Sequence, residues 1–117
     1  MIRVLVADHQ PIVSYGIRMY FENSTDIKIV NTASSAKQLL DYLKKSNTDV
    51  VLMSIDLPDT NGITVLRTIK KEFSDVSVIM FSTHPEDIYA ISAIKAGASG
   101  YVSKTVKTST IKRAILK

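Results

Sequence analysis

The stretch that decides the fold is Asp49-Val-Val-Leu-Met-Ser-Ile-Asp-Leu-Pro-Asp-Thr-Asn-Gly62. Its first six residues, Asp49 to Ser54, are the most apolar short run in the chain, and the turn formers Pro58, Asn61 and Gly62 follow closely. A run this short and this apolar reads as a central strand that leads into a loop. Strands apolar along their whole length belong to parallel sheets whose two faces are both covered by helices.

On the N-terminal side the same kind of run recurs at Ile2 to Ala7 (IRVLVA), bounded by Asp8 and Pro11. From Pro11 to about Asn23 the apolar residues Ile12, Val13, Ile17, Tyr20 and Phe21 recur at steps of three and four, which predicts a helix with proline in its first turn. Ile27 to Val30 is a weaker strand, and Ser34 or Ser35 caps a helix carrying Leu39, Leu40 and Leu43. On the C-terminal side Ile63, Leu66, Ile69 and Phe73 mark a helix, and Val76 to Ser82 a fourth strand. Asp87 to about Ala96 is a helix closed by Gly97, where a left-handed residue ends many helices. Tyr101 and Val102 make a short fifth strand, and Ile111, Ile115 and Leu116 a last helix. Five strands alternating with five helices predict an α/β domain on a five-stranded parallel sheet.

Composition excludes other classes. The chain has 117 residues, 45% of them hydrophobic, which is enough for one domain with its own core. There is no cysteine, so disulfides, thiol catalysis and thiolate metal sites are excluded, and the only histidines are His9 and His84. No apolar run reaches the ~18 residues of a membrane-spanning helix, and no leader precedes the first strand, so a cytoplasmic domain without membrane contact is expected. The net charge of +4 sits at one end: Lys95, Lys104, Lys107, Lys112, Arg113 and Lys117 are unaccompanied by any acidic residue. The bland reading is a solvated helix face, and the alternative is contact with nucleic acid or an acidic partner.

In a doubly wound sheet, ligands collect beyond the carboxyl ends of the strands, near the point where strand order reverses. The residues there are Asp8 and His9 after the first strand, Ser54 to Asp56 after the third, Ser82 and Thr83 after the fourth, and Lys104 after the fifth. With IRVLVAD…PIV, DVVLMSIDLPDTNG, VIMFST and AGASGYVSK in order and in register, the chain resembles the receiver domain of bacterial response regulators. It is most similar to the subfamily whose receiver precedes a helix-turn-helix DNA-binding domain (the NarL/FixJ, or LuxR, type). The resemblance covers residues 1–117 and implies a flavodoxin-like (βα)5 sandwich, with a helix-turn-helix domain following in the full-length protein.

In that family an acidic pair after the first strand and an aspartate after the third hold magnesium, and the aspartate accepts a phosphoryl group from a histidine kinase. A hydroxyl after the fourth strand and a lysine after the fifth contact the phosphate, and an aromatic residue before the lysine changes rotamer as the signal. Carried over residue by residue, the acidic pocket falls on Asp8, His9 and Asp56, the acceptor on Ser54, the hydroxyl on Ser82, the aromatic on Tyr101 and the lysine on Lys104. Two of these depart from the family. A carboxylate is already ionised at neutral pH, whereas the Ser54 hydroxyl must first lose a proton to a base, and its phosphate ester would be stable. Magnesium prefers hard oxygen ligands, so replacing two carboxylates by the His9 imidazole and a hydroxyl predicts a lost or very weak metal site and no bound cofactor.

The function expected is therefore an atypical receiver of a transcription regulator, non-enzymatic, acting by protein contact and dimerisation without aspartyl phosphorylation. Its expected partners are a second copy, other regulator or kinase proteins, and DNA through the C-terminal domain. The alternative is a relay that accepts phosphate at an unusual residue, with Asp56 and Asp59 as substitutes; the bland reading of both is a loop carboxylate. An unrelated flavodoxin-like enzyme lacks support, because no glycine-rich phosphate loop follows the first strand. Met19, Tyr20, Ile115 or Leu116 are expected to offer a docking face. Ile88, Ile91 and Ile94 are expected to pack against Tyr101 and hold it in one rotamer.

Overall fold

The computed structural model describes residues 1–82, 86–103 and 108–116, with side chains at 1–81, 91–102 and 111–116. Along it alternate β1 (Ile2–Ala7), α1 (Pro11–Tyr20), β2 (Ile27–Ala33), α2 (Ala36–Lys45), β3 (Val50–Ser54), α3 (Gly62–Glu72), β4 (Ser77–Ser82), α4 (Glu86–Lys95), β5 (Gly100–Ser103) and α5 (Thr108–Leu116). The strands form one parallel sheet in the order β2-β1-β3-β4-β5. Strand order reverses between β1 and β3, so the crevice expected to collect polar groups opens beyond Ala7 and Ser54.

Alternate residues of each strand enter opposite core layers, because successive side chains of a strand point to opposite faces. Leu5, Val51, Met53, Val78 and Met80 meet Leu39 and Leu43 of α2, Leu66 and Ile69 of α3 and Ala93 of α4. Val4, Val6, Leu52, Ile79 and Phe81 meet Ile17 of α1, Phe21, and Ile111 and Ile115 of α5. All five residues of β3 are buried, as the opening run requires. Each sealed leucine or isoleucine contributes about 1.5–3 kcal/mol relative to an exposed one.

Two boundaries differ from the sequence reading. Helix α1 stops at Tyr20, short of Asn23, because the backbone turns through Glu22 N–H to Met19 and Ser24 N–H to Phe21. The Ser24 hydroxyl then accepts the amides of Asp26 and Ile27 and starts the next strand. Strand β2 continues past Val30 to Ala33, because a register shift at Val4/Leu5 lets β1 pair with Asn31, Thr32 and Ala33. Polar residues are tolerated there because β2 is an edge strand.

At the opposite end of the sheet, Arg3 on β1 clamps Asp49. Its Nε donates to Oδ2 and its Nη2 to Oδ1, each at 3.1 Å, and its backbone N–H adds a bond of 2.8 Å to Oδ2. The hydrogen-bonded guanidinium holds the Asp49 carboxyl below the usual carboxylate range. A lowered folded value gives stability that is present above the unfolded pKa of about 3.9 and is lost as pH falls through the folded value. Urea unfolding across the acid range checks this: Asp49→Asn flattens the decline in stability below about pH 4 relative to wild type.

Gly62, at the start of α3, is a close-approach glycine. A Cβ there would lie 2.6 Å from the Ser54 carbonyl oxygen and 2.7 Å from Ile55 Cα, both backbone atoms. Gly62→Ala is expected to destabilise the domain by about 2 kcal/mol, read as a lower urea midpoint at unchanged m.

Candidate functional site

The crevice beyond β1 and β3 is assembled from two strand ends. Ala7 pairs with Met53, so Asp8 and Ser54 stand one step further on neighbouring strands. The Asp8 amide bonds the Ala33 carbonyl at 3.0 Å, and its Oδ1 accepts the Gln10 amide at 2.8 Å. The Asp8 side chain has no solvent exposure, whereas the His9 imidazole, 42% exposed, stands with Nδ1 3.7 Å from Asp8 Oδ1. Ser54 is also sealed, at 0% exposure, and its hydroxyl oxygen accepts the Asp56 amide at 3.2 Å.

From Ser54 the chain enters a narrow loop. Ile55 and Leu57 turn into the core, and Asp56, itself exposed, bridges backbone to backbone with Asn61. The Gly62 amide closes the loop on the Ile55 carbonyl at 2.8 Å, and the Asn61 side chain caps α3 through the Ile63 amide at 2.7 Å. Asp59, at the loop tip, reaches α2, where Oδ1 accepts the Ala36 amide at 2.9 Å and Oδ2 the Lys37 amide at 3.1 Å. Those two amides, Ala36 foremost, hold its carboxyl below the usual range. Asp59 is thus a capping carboxylate, a role the sequence reading did not include. Its partners lie more than twenty residues back, where no local pattern could disclose them.

Ser82 ends β4, paired with Ser103 of β5, so its backbone stands at the same carboxyl edge. Its side chain lies outside the described residues, as do Thr83, His84 and Lys104 altogether. Tyr101 on β5 is half-buried against the core layer of α2, α3 and α4, and its hydroxyl oxygen is shielded from solvent. Two of the isoleucines expected to hold it turn outward instead. Ile91 and Ile94 are 64% and 53% exposed. Among the described side chains of α4, the small Ala93 is the one fully buried; the Ile88 side chain lies outside the described residues. Ile115, expected on a docking face, is a core residue at 4% exposure, whereas Met19, Tyr20 and Leu116 are exposed as expected.

A magnesium ion, which the family resemblance implies, would have to be held by Asp8, His9, Ser54 and the Asp56 carbonyl. This donor set does not fit. It contains one strand-end carboxylate, sealed from solvent and committed through Oδ1 to the Gln10 amide, beside an imidazole and a sealed hydroxyl. Among the described residues no three His, Cys, Asp or Glu side chains converge as metal ligands. A cavity of about 420 Å³ borders Asp8 on the side of α1 and α2, lined by Ser14, Tyr15, Arg18, Gln38 and Tyr42. Another of about 810 Å³ lies at the other end of the strands, between Asp49, Ser77 and α5, away from this crevice.

Sheet order and a crevice at the strand ends are those of a doubly wound α/β module, and comparison gives its family. Residues 4–116 match the response regulator receiver domain, and the chain belongs to that family. The Fimbriae Z protein of Escherichia coli strain K12 is 36% identical over 112 residues, covering 96% of this chain and 53% of that protein. The response regulator UvrY of the same strain is 34% identical over 115 residues, covering 98% and 53%. The chain therefore spans about half the length of these curated relatives. Among solved structures, a two-component response regulator of the LuxR family from Aurantimonas sp. SI85-9A1 superposes with a TM-score of 0.90 at 30% identity, covering 97% of this chain and 81% of that one. RcsB from Salmonella enterica serovar Typhimurium, bound to promoter rprA with a phosphomimetic, has the same fold, with a TM-score of 0.90 at 24% identity over 98% of this chain and 66% of that one. Among the described residues no helix is long and apolar enough to cross a membrane.

Proposed function

We propose that this receiver works by protein contact alone, as the non-enzymatic regulatory module of a cytoplasmic transcription regulator, without aspartyl phosphorylation. The observation that carries the reading is the state of Ser54: at the acceptor position stands a neutral hydroxyl, out of contact with solvent, whose oxygen already accepts the Asp56 amide. Its neighbours do not rescue the chemistry. His9 replaces the second carboxylate of the acidic pair, and Asp59 is engaged with α2. Ser82, Tyr101 and Lys104 are kept for shape rather than for binding phosphate, magnesium affinity is lost or very weak, and no cofactor is required. The longer protein continues into a helix-turn-helix domain, through which it meets DNA; other regulator or kinase proteins are its remaining partners.

Incubation with a small-molecule phosphodonor and magnesium, followed by intact-mass measurement, is expected to leave the mass unchanged. A gain of one phosphoryl group that mild base removes would overturn the reading and point to an aspartate. Ser54→Asp alone is expected to restore little, because His9 still leaves the metal one carboxylate short. Ser54→Asp with His9→Asp is expected to restore both magnesium binding and phosphorylation.

The contact surface proposed for self-association is the outer side of α1. Ile12, Tyr15, Met19 and Tyr20 are exposed along it, with Met1 beside its end, and Arg18 is the only charged residue in the helix. A solvated helix ordinarily turns charged and polar residues outward, so this face suits a second copy of the chain. Light scattering over a concentration series is expected to show a dimer that Met19→Glu weakens at least tenfold, about 1.4 kcal/mol. A wild type that stays monomeric throughout would discard the dimer.

A further inference from the structure

The β3–α3 loop and the start of α2 are joined by a contact that local capping does not need. Helix α2 already has its own cap, since the Ser35 hydroxyl accepts the Gln38 amide and the Ser35 carbonyl accepts Leu39. The first amides of a helix are ordinarily left to water or to a nearby side chain. Here those of Ala36 and Lys37 go to the two oxygens of one carboxylate, on a residue 23 and 22 positions further along the chain. Such a bond is charge-assisted and lies at the positive end of the helix dipole, so it is among the stronger contacts an exposed residue can make.

The loop that carries Asp59 is itself stiff. Ile55 and Leu57 anchor its first half in the core, and the Asp56–Asn61 bridge and the Gly62 amide close it into a narrow ribbon. A rigid loop tied at its tip to a helix terminus cannot open over Ser54 without releasing that helix. We infer that Asp59 is a positioning residue that latches the loop beside Ser54 to α2, so that the two open and close as one unit. A partner that displaces the start of α2 would then expose the Ser54 crevice, and a partner that lifts the loop would loosen α2. The coupling does not rest on the phosphorylation reading, because it needs only the carboxylate and the two amides.

Amide hydrogen exchange on the whole chain tests it, comparing wild type with Asp59→Ala and Asp59→Asn. In Asp59→Ala the amides of Ala36 and Lys37 are expected to exchange about tenfold faster, the loss typical of a helix cap. Those of Asp56 and Gly62, across the contact, are expected to rise by a similar factor, while Val6 and Leu52 in the sheet keep their protection. Asp59→Asn, which retains one acceptor oxygen and no charge, is expected to fall between. A response confined to Ala36 and Lys37 would reduce Asp59 to a simple cap and overturn the latch. So would an unchanged rate at both sites, or an equal rise at Val6 and Leu52, which would report general destabilisation.

Discussion

The constraint on which the rest of the structure depends is the burial of β3 on every side. It lies between β1 and β4 in the sheet and between two helical layers above and below, so all five of its residues are buried. Backbone groups there are satisfied by the neighbouring strands, and side chains have to be apolar, because a polar group left unpaired in such a place costs several kcal/mol. Chemistry is thereby driven to the strand ends. Asp8, Ser54 and Ser82 stand at or just past such ends.

The same constraint explains the state of Ser54. A sealed hydroxyl needs a hydrogen bond more than it needs a substrate, and the Asp56 amide supplies one directly. The loop beyond is then organised by contacts within the protein: Asn61 on α3, Asp59 on α2, and the absence of a side chain at Gly62, where a Cβ would strike backbone. Each contact is modest, yet all act on a segment of nine residues, from Ser54 to Gly62. A crevice built in this way is held in shape by contacts within the protein.

The surface of the module is uneven. Helix α1 exposes a row of large apolar residues on one side of the sheet, and α4 exposes Ile91 and Ile94 near the other edge. Among the described side chains of α4, Ala93 is the one fully buried, and Ile91 and Ile94 are left outside. The basic C-terminal end is partly balanced within the fold, since Lys112 approaches Asp26 at 4.0 Å. Its charge is therefore only partly free to attract an external anion.

The sequence by itself determined the alternation of strands and helices, the parallel sheet, and which residues end which strand. These follow from apolar runs, three-and-four spacing and turn residues, all of which are local patterns. The family was legible as well, because four motifs stand in register along the chain. Only the tertiary structure decided that β2 runs on to Ala33, since that depends on a register shift against β1. It alone turned Ile91 and Ile94 outward and Ile115 inward, because the three-and-four spacing names an apolar set and leaves open which member presses on the sheet. It alone set Asp59 on the amides of Ala36 and Lys37, a contact between segments more than twenty residues apart, which exists only once β3 and α2 have been folded against each other.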